Sequence, residues 1–277
     1  MLKIENIEVT GWEAAIRGMR NPMNSWEKSD SGMGCRDDLC EGCPADDCRS
    51  KPDKYWIGPN DLDLMRRLAK GGATHAKYKR MINVTMDITA PLYYYKELDT
   101  YKVGTVCNSC STMHKIQAKE FSLDDFSHEH LIDLDINPLR ETQDSPCMYN
   151  AKEPLRDTIH ALNLARKLYL ETNDKKYWWV MIQLLPSSYN QRRTYQFNYE
   201  VLSHIYFDRK NHKLDCWHTF CDMIEQLPYA KDIILVGSRD AESDSEDALK
   251  KENEELKKKV EFLEDFIHSY TPGLMGL

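Results

Sequence analysis

No run of apolar residues in this chain approaches the length that a membrane-spanning helix needs, so a helical membrane protein is not expected. The opening MLKIENIEVT lacks the basic-then-apolar pattern of a secretory leader, and the chain is read as cytoplasmic. Positive charge is also in deficit. Lys and Arg number 37 against 45 Asp and Glu, a net charge of -8, which argues against DNA, RNA or a membrane surface as a general partner. A local basic pocket stays compatible with that total. Cys107 and Cys110 form a CxxC, but the sequence has no second CxxC of matching context and no thioredoxin-like setting around it.

Cysteine itself is not scarce. Nine cysteines in a cytoplasmic chain read as thiols or metal ligands rather than disulfides. The apolar fraction of 41% suits a globular core, and 277 residues suffice for one large domain or two modest ones. Residues 25–59 are a polar excursion holding Cys35, Cys40, Cys43 and Cys48, spaced C-x4-C-x2-C-x4-C. Four thiolates so close together can complete a tetrahedral zinc site, and the metal would order a loop with almost no apolar content. An iron–sulfur cluster uses the same ligands. Four ligands leave no open coordination position, so the expected metal is structural.

Hydrophobic periodicity orders the rest. Lys3 to Thr10 alternates and predicts a strand, followed after Gly11 by a short helix that ends at Asn21-Pro22. Leu62 to Lys70 predicts a helix capped by Asn60 or Asp61. Arg80 to Thr89 sets Ile82, Val84, Met86 and Ile88 on one face of the clearest strand, and Leu92 to Leu98 reads as an aromatic helix. Lys102 to Lys115 is rich in small polar residues and reads as a loop. The HEH of residues 128–130 lies in a polar stretch that reads as solvated loop. Glu153 to Glu171 reads as an amphipathic helix, Tyr177 to Leu185 as a buried helix, and Leu214 to Leu227 as the last helix of a domain spanning residues 1–236. An acidic linker, 237–248, follows. Leu249, Leu256, Leu263 and Tyr270 then repeat every seven residues, and 249–270 reads as a coiled-coil helix that self-associates.

The stretch LPSSYNQRRTYQFNYEVLSHIYFDR, Leu185 to Arg209, concentrates the candidate chemistry. Pro186 is expected to close one helix and a second to carry Asn198 and Arg209 on one side, with Glu200 and His204 flanking. An amide, an imidazole and a guanidinium on one face can read a planar heterocycle together with an anion.

This stretch resembles the C-terminal motif of flavin-dependent thymidylate synthases, the ThyX family. Pro186, Asn198 and Arg209 stand at the family's intervals. His75 resembles the family's histidine ahead of the central strand. TYKVGTVCNSCSTMHK resembles the RHRxxSxNExSxR signature, with Asn108 and Ser111 on its Asn and second Ser. The chain departs from the signature at Tyr101, Lys102 and Val103, which replace RHR, and at Met113, which replaces the final Arg. Lys102, Lys115 or Arg192 would have to supply the missing cations.

The resemblance implies an α+β fold, a mixed sheet packed with helices, over roughly residues 60–235. It implies FAD held by His75, Lys102, Asn198 and His204, and dUMP held by Asn108, Ser111 and Arg209. It further implies NADPH and methylenetetrahydrofolate as co-substrates, transfer of one carbon to C5 of uracil, and a homotetramer or homodimer. Two other readings stand beside it. One is a relative acting on another pyrimidine nucleotide. The other is a non-catalytic, oligomeric interaction protein built on the four-Cys loop and the coiled coil.

Overall fold

The computed structural model describes residues 2–33, 55–135 and 148–236, with Lys257 and Val260. Cys35, Cys40, Cys43 and Cys48 lie outside the described residues, as does the coiled-coil stretch apart from Lys257 and Val260, both helical. In chain order the elements begin β1 (Lys3–Thr10), α1 (Trp12–Arg20), β2 (Gly32–Met33), β3 (Tyr55–Trp56), α2 (Pro59–Lys70), β4 (Asn83–Pro91) and α3 (Leu92–Leu98). They continue with β5 (Val106–Ser109), α4 (Thr112–Lys115), β6 (Asp133–Asp135), β7 (Met148–Asn150), α5 (Glu153–Thr172) and α6 (Lys175–Leu184). The last are β8 (Asn190–Asn198), α7 (Tyr199–Arg209), α8 (Asp215–Glu225) and α9 (Ala230–Ile233). The chain falls into two compact units, Met1–Trp12 with Arg80–Pro228, and Glu13–Lys79 with Tyr229–Leu277.

The first unit is built on an antiparallel sheet of order β1-β4-β8-β5. Strand alternation divides its faces. Val84, Met86 and Ile88 of β4 and Tyr195 and Phe197 of β8 are buried. Helices cover that side: Phe197 meets Phe220 of α8 edge-on at 5.9 Å, and Tyr94 of α3 lies 4.7 Å from Trp217 of α8. The other face is polar. Asp87 accepts from Thr194 Oγ1 (2.5 Å), Arg192 Nη2 (2.7 Å) and Asn6 Nδ2 (2.8 Å), three strands meeting at one carboxylate. Those hydrogen bonds, Thr194's first, hold the Asp87 carboxyl well below the ordinary carboxylate range. A second cluster joins Leu162 and Ala165 of α5 and Met181 of α6 to Ile116, Phe121 and Phe126.

The second unit contains a buried ion pair. Arg20 Nε donates to Asp61 Oδ1 (2.6 Å), while Asp61 Oδ2 accepts from Ser29 Oγ (2.8 Å), Ser31 Oγ (2.7 Å) and the Asp30 N–H (3.1 Å). The β2–β3 ladder then sets Met33 opposite Tyr55. In the same unit Tyr78 Oη donates to Met65 O (2.8 Å) and Arg66 pairs with Asp232 of α9.

Four expectations change. The helix expected after Pro186 is preceded by a strand, because Asn190 to Asn198 alternates between the core and the polar face. The helix begins only at Tyr199. Residues 102–115 contain β5 and α4 rather than a plain loop, since β8 offers an edge for pairing. Helix α2 starts at Pro59 with Gly58 as N-cap, and Asp61 serves the ion pair. Asp30 takes the capping role, accepting from the Asn60 and Asp61 N–H groups at 2.9 and 3.1 Å. Helix α6 is not buried throughout. Met181 is its core side chain, while Trp179, Val180 and Leu184 are exposed.

Candidate functional site

The crossing from β8 into α7 fixes the first candidate. Asn198 ends the strand and caps the helix, its side-chain oxygen accepting from the Val201 N–H at 3.0 Å. Its Nδ2 points to Gly104 O at 3.5 Å. Gly104 has φ +76°, and a Cβ there would lie 2.5 Å from that Nδ2. Only glycine lets the 101–105 loop pass so close. Asn198 is 7% exposed, with its oxygen engaged by the Val201 N–H and its Nδ2 directed at Gly104 O.

Arg209 closes the other end of α7, about 16 Å along the axis. The two residues therefore bracket the helix instead of sharing one patch of it. Arg209 Nε donates to Tyr101 Oη (3.0 Å) and Nη1 to Glu97 Oε2 (2.8 Å). The guanidinium also stacks on Trp217, 4.9 Å from the ring centre, and lies 5.6 Å from that of Tyr101. The same Glu97 oxygen accepts from Trp217 Nε1 (3.1 Å) and lies 3.2 Å from His212 Nε2. Burial raises the Tyr101 phenol, with the Arg209 hydrogen bond pulling the other way. The loop from α3 to β5 thus touches both ends of α7, through Gly104 at Asn198 and Tyr101 at Arg209.

The remaining candidates are dispersed. Asn108 is an exposed β5 residue paired with Thr194, on the polar face of the sheet. Ser111 caps α4, its Oγ accepting from the His114 N–H at 3.2 Å. The Cys110 N–H beside it donates to Arg192 O, six strand residues before Asn198, or about 20 Å at the usual rise. A single chain therefore does not bring Ser111 to Asn198. Lys102 and His204 are exposed. His75 belongs to the second unit, exposed in the turn after α2, and a Cβ at Gly71 would sit 3.3 Å from its ring. Arg192, a candidate replacement cation, is engaged by Asp87. Among the described residues no group of three or more His, Cys, Asp or Glu is placed to hold a metal ion. His128 bonds Phe126 O and His130 pairs with Asp215, as a solvated loop would have them.

Glu97, His212 and Trp217 are the residues that sequence reasoning missed. The aromatic run around Glu97 and the last apolar helix were visible, but nothing in their spacing pairs them with Arg209.

The architecture defines a class: an α+β fold on an antiparallel sheet, with a strand-to-helix crossing whose ends carry an amide and a guanidinium. Comparison with solved structures places the fold as ThyX-like. Thymidylate synthase X from Helicobacter pylori, crystallised with FAD and dUMP, superposes with TM-score 0.53 and 16% identity, covering 85% of this chain and 98% of its own. A second Helicobacter pylori ThyX complex with FAD and dUMP gives 0.52 and 16%, over 83% of this chain and 98% of that one. A UMP/dUMP methylase PolB from Streptomyces cacaoi, bound with 5-Br dUMP, gives 0.48 and 13% over 86% and 94%, too loose to carry an argument. No protein-family model matches the sequence, and no curated protein does.

Proposed function

We propose that this chain is a ThyX-like enzyme acting on a pyrimidine nucleotide, with FAD as its redox cofactor. The observation that carries the reading is the Arg209 cluster. Within a ThyX-like fold, a guanidinium, an indole N–H and an imidazole converge on one point between aromatic rings. That chemistry suits an anionic, planar ligand. The reaction we assign is reductive one-carbon transfer to C5 of dUMP, with NADPH and methylenetetrahydrofolate as co-substrates.

Bound flavin would supply the electron chemistry, and the protein supplies position and charge. Lys102 offers an exposed cation to a cofactor phosphate, and Asn198 offers its Nδ2 edge to the ring. His204 is an exposed imidazole for the same cofactor. Asn108 and Ser111 serve the nucleotide from a second copy of the chain, because the strand arithmetic keeps Ser111 about 20 Å from Asn198 within one copy. The exposed Trp179, Leu164 and Leu170 of the α5–α6 pair and the heptad positions of 249–270 support self-association. We also propose that Cys35, Cys40, Cys43 and Cys48 hold a structural metal, zinc by preference.

An absorbance spectrum of the purified protein tests the cofactor: flavin bands are expected. Arg209→Ala should abolish dUMP binding while the fold persists, read by calorimetry and circular dichroism. The substrate is resolved by comparing dUMP with other pyrimidine nucleotides. A colourless protein that ignores added FAD, and whose melting temperature dUMP does not shift, favours the non-catalytic interaction protein.

A further inference from the structure

One oxygen of Glu97 accepts from Arg209 Nη1 at 2.8 Å and Trp217 Nε1 at 3.1 Å, and His212 Nε2 lies 3.2 Å from it. They come from the end of α7, the following turn and α8, so their convergence is a product of the fold. Trp217 is fully buried, and Arg209 is also anchored independently of Glu97, by its hydrogen bond to Tyr101 and its position over the Trp217 ring. The donors therefore keep their arrangement without the carboxylate. Glu97 is different. It sits in the last turn of the short helix α3, its side chain is 33% exposed, and rotation about its own bonds returns the carboxylate to water.

We propose that the Arg209–His212–Trp217 cluster is an anion site whose resident occupant is Glu97, which competes with any anionic ligand for the same donors. The ligand class is an oxyanion, a phosphate monoester or a carboxylate. This rests on the reading of Arg209 as a nucleotide residue and adds a gate to it. Two anions cannot share these groups, because like charges a few ångströms apart repel. A ligand binds only by sending Glu97 into solvent. A phosphate monoester, with close to two negative charges, does this better than a monocarboxylate. Glu97 thus raises the threshold for occupation and favours the more highly charged ligand.

The test is calorimetric titration of the full chain with inorganic phosphate and, separately, with dUMP. Glu97→Gln keeps the shape and removes the competing charge. It should bind phosphate about tenfold more tightly than the unaltered protein, the factor that 1.4 kcal/mol of lost competition represents. Glu97→Asp, too short to reach all three side chains, should also gain and serves if the glutamine variant folds poorly. Adding Arg209→Ala should erase the gain. Phosphate affinity unchanged or weakened in both Glu97 variants overturns the proposal. If dUMP still binds in that case, the nucleotide reading survives and the gate alone falls. If phosphate gains but no variant binds dUMP, the anion site stands and the nucleotide reading falls. No binding of phosphate or dUMP by any of these proteins overturns both.

Discussion

Asp61→Ala is the most consequential single change in the second unit. Asp61 and Arg20 are 0% and 4% exposed, and the carboxylate accepts from Arg20, Ser29, Ser31 and the Asp30 N–H. Truncation leaves a buried guanidinium whose remaining acceptors, Ser25 O, Ser25 Oγ and Lys28 O, carry no opposite charge. Losing one partner of a buried pair costs about 3–5 kcal/mol, a large part of a typical domain's 5–15 kcal/mol. With a urea dependence of about 1–3 kcal/mol per molar, the unfolding midpoint should fall by roughly 1–5 M. Far-ultraviolet circular dichroism against urea reads the shift. Arg20→Met with Asp61→Leu should recover much of the loss, since matched apolar side chains need no counter-charge. A loss below about 1 kcal/mol for Asp61→Ala, or a double variant as weak as the single, would refute the reasoning.

The same pair sets an acid limit. Burial pushes the Asp61 carboxyl up, but hydrogen bonds from Ser31, Ser29 and Arg20 outweigh it and leave the group below its ordinary value. A carboxyl depressed on folding stabilises fully above its unfolded value, about 4, and loses that contribution as pH falls further. The unaltered protein should thus lose stability below about pH 4 more steeply than Asp61→Ala, and equal slopes in acid titrations would count against it. Gly104→Ala should cost about 2 kcal/mol in urea unfolding, from left-handed backbone strain and displacement of the Asn198 cap. Trp179→Glu, at a 47% exposed position, should lower the mass seen by light scattering, and an unchanged mass would remove α6 from the self-association surface.

Much of the scaffold was legible from residue order. The strand signal of β1, the alternation of β4, the apolar stripe of α5 and the punctuation at Asn21-Pro22 and Pro228 are local signals that need no distant partner. Strand β8 escaped notice because QRRTYQF puts long polar side chains opposite aromatic ones, and its second face stays polar by pairing Arg192 and Thr194 with Asp87 of a neighbouring strand. Strand β5 escaped because its residues are small and exposed, so its pairing depends on β8 lying beside it.

The candidate site divides in the same way. Sequence by itself determined that Asn198 and Arg209 lie eleven residues apart, and the helical form of the segment then sets them about 16 Å apart along its axis. The tertiary structure alone decided what each does. Packing turned Asn198 into a helix cap, and the meeting of α3 with the end of α7 gave Arg209 a carboxylate partner from 112 residues away. Charge pairing across such distances leaves no periodic trace in a sequence, since any acidic residue on any approaching helix would serve.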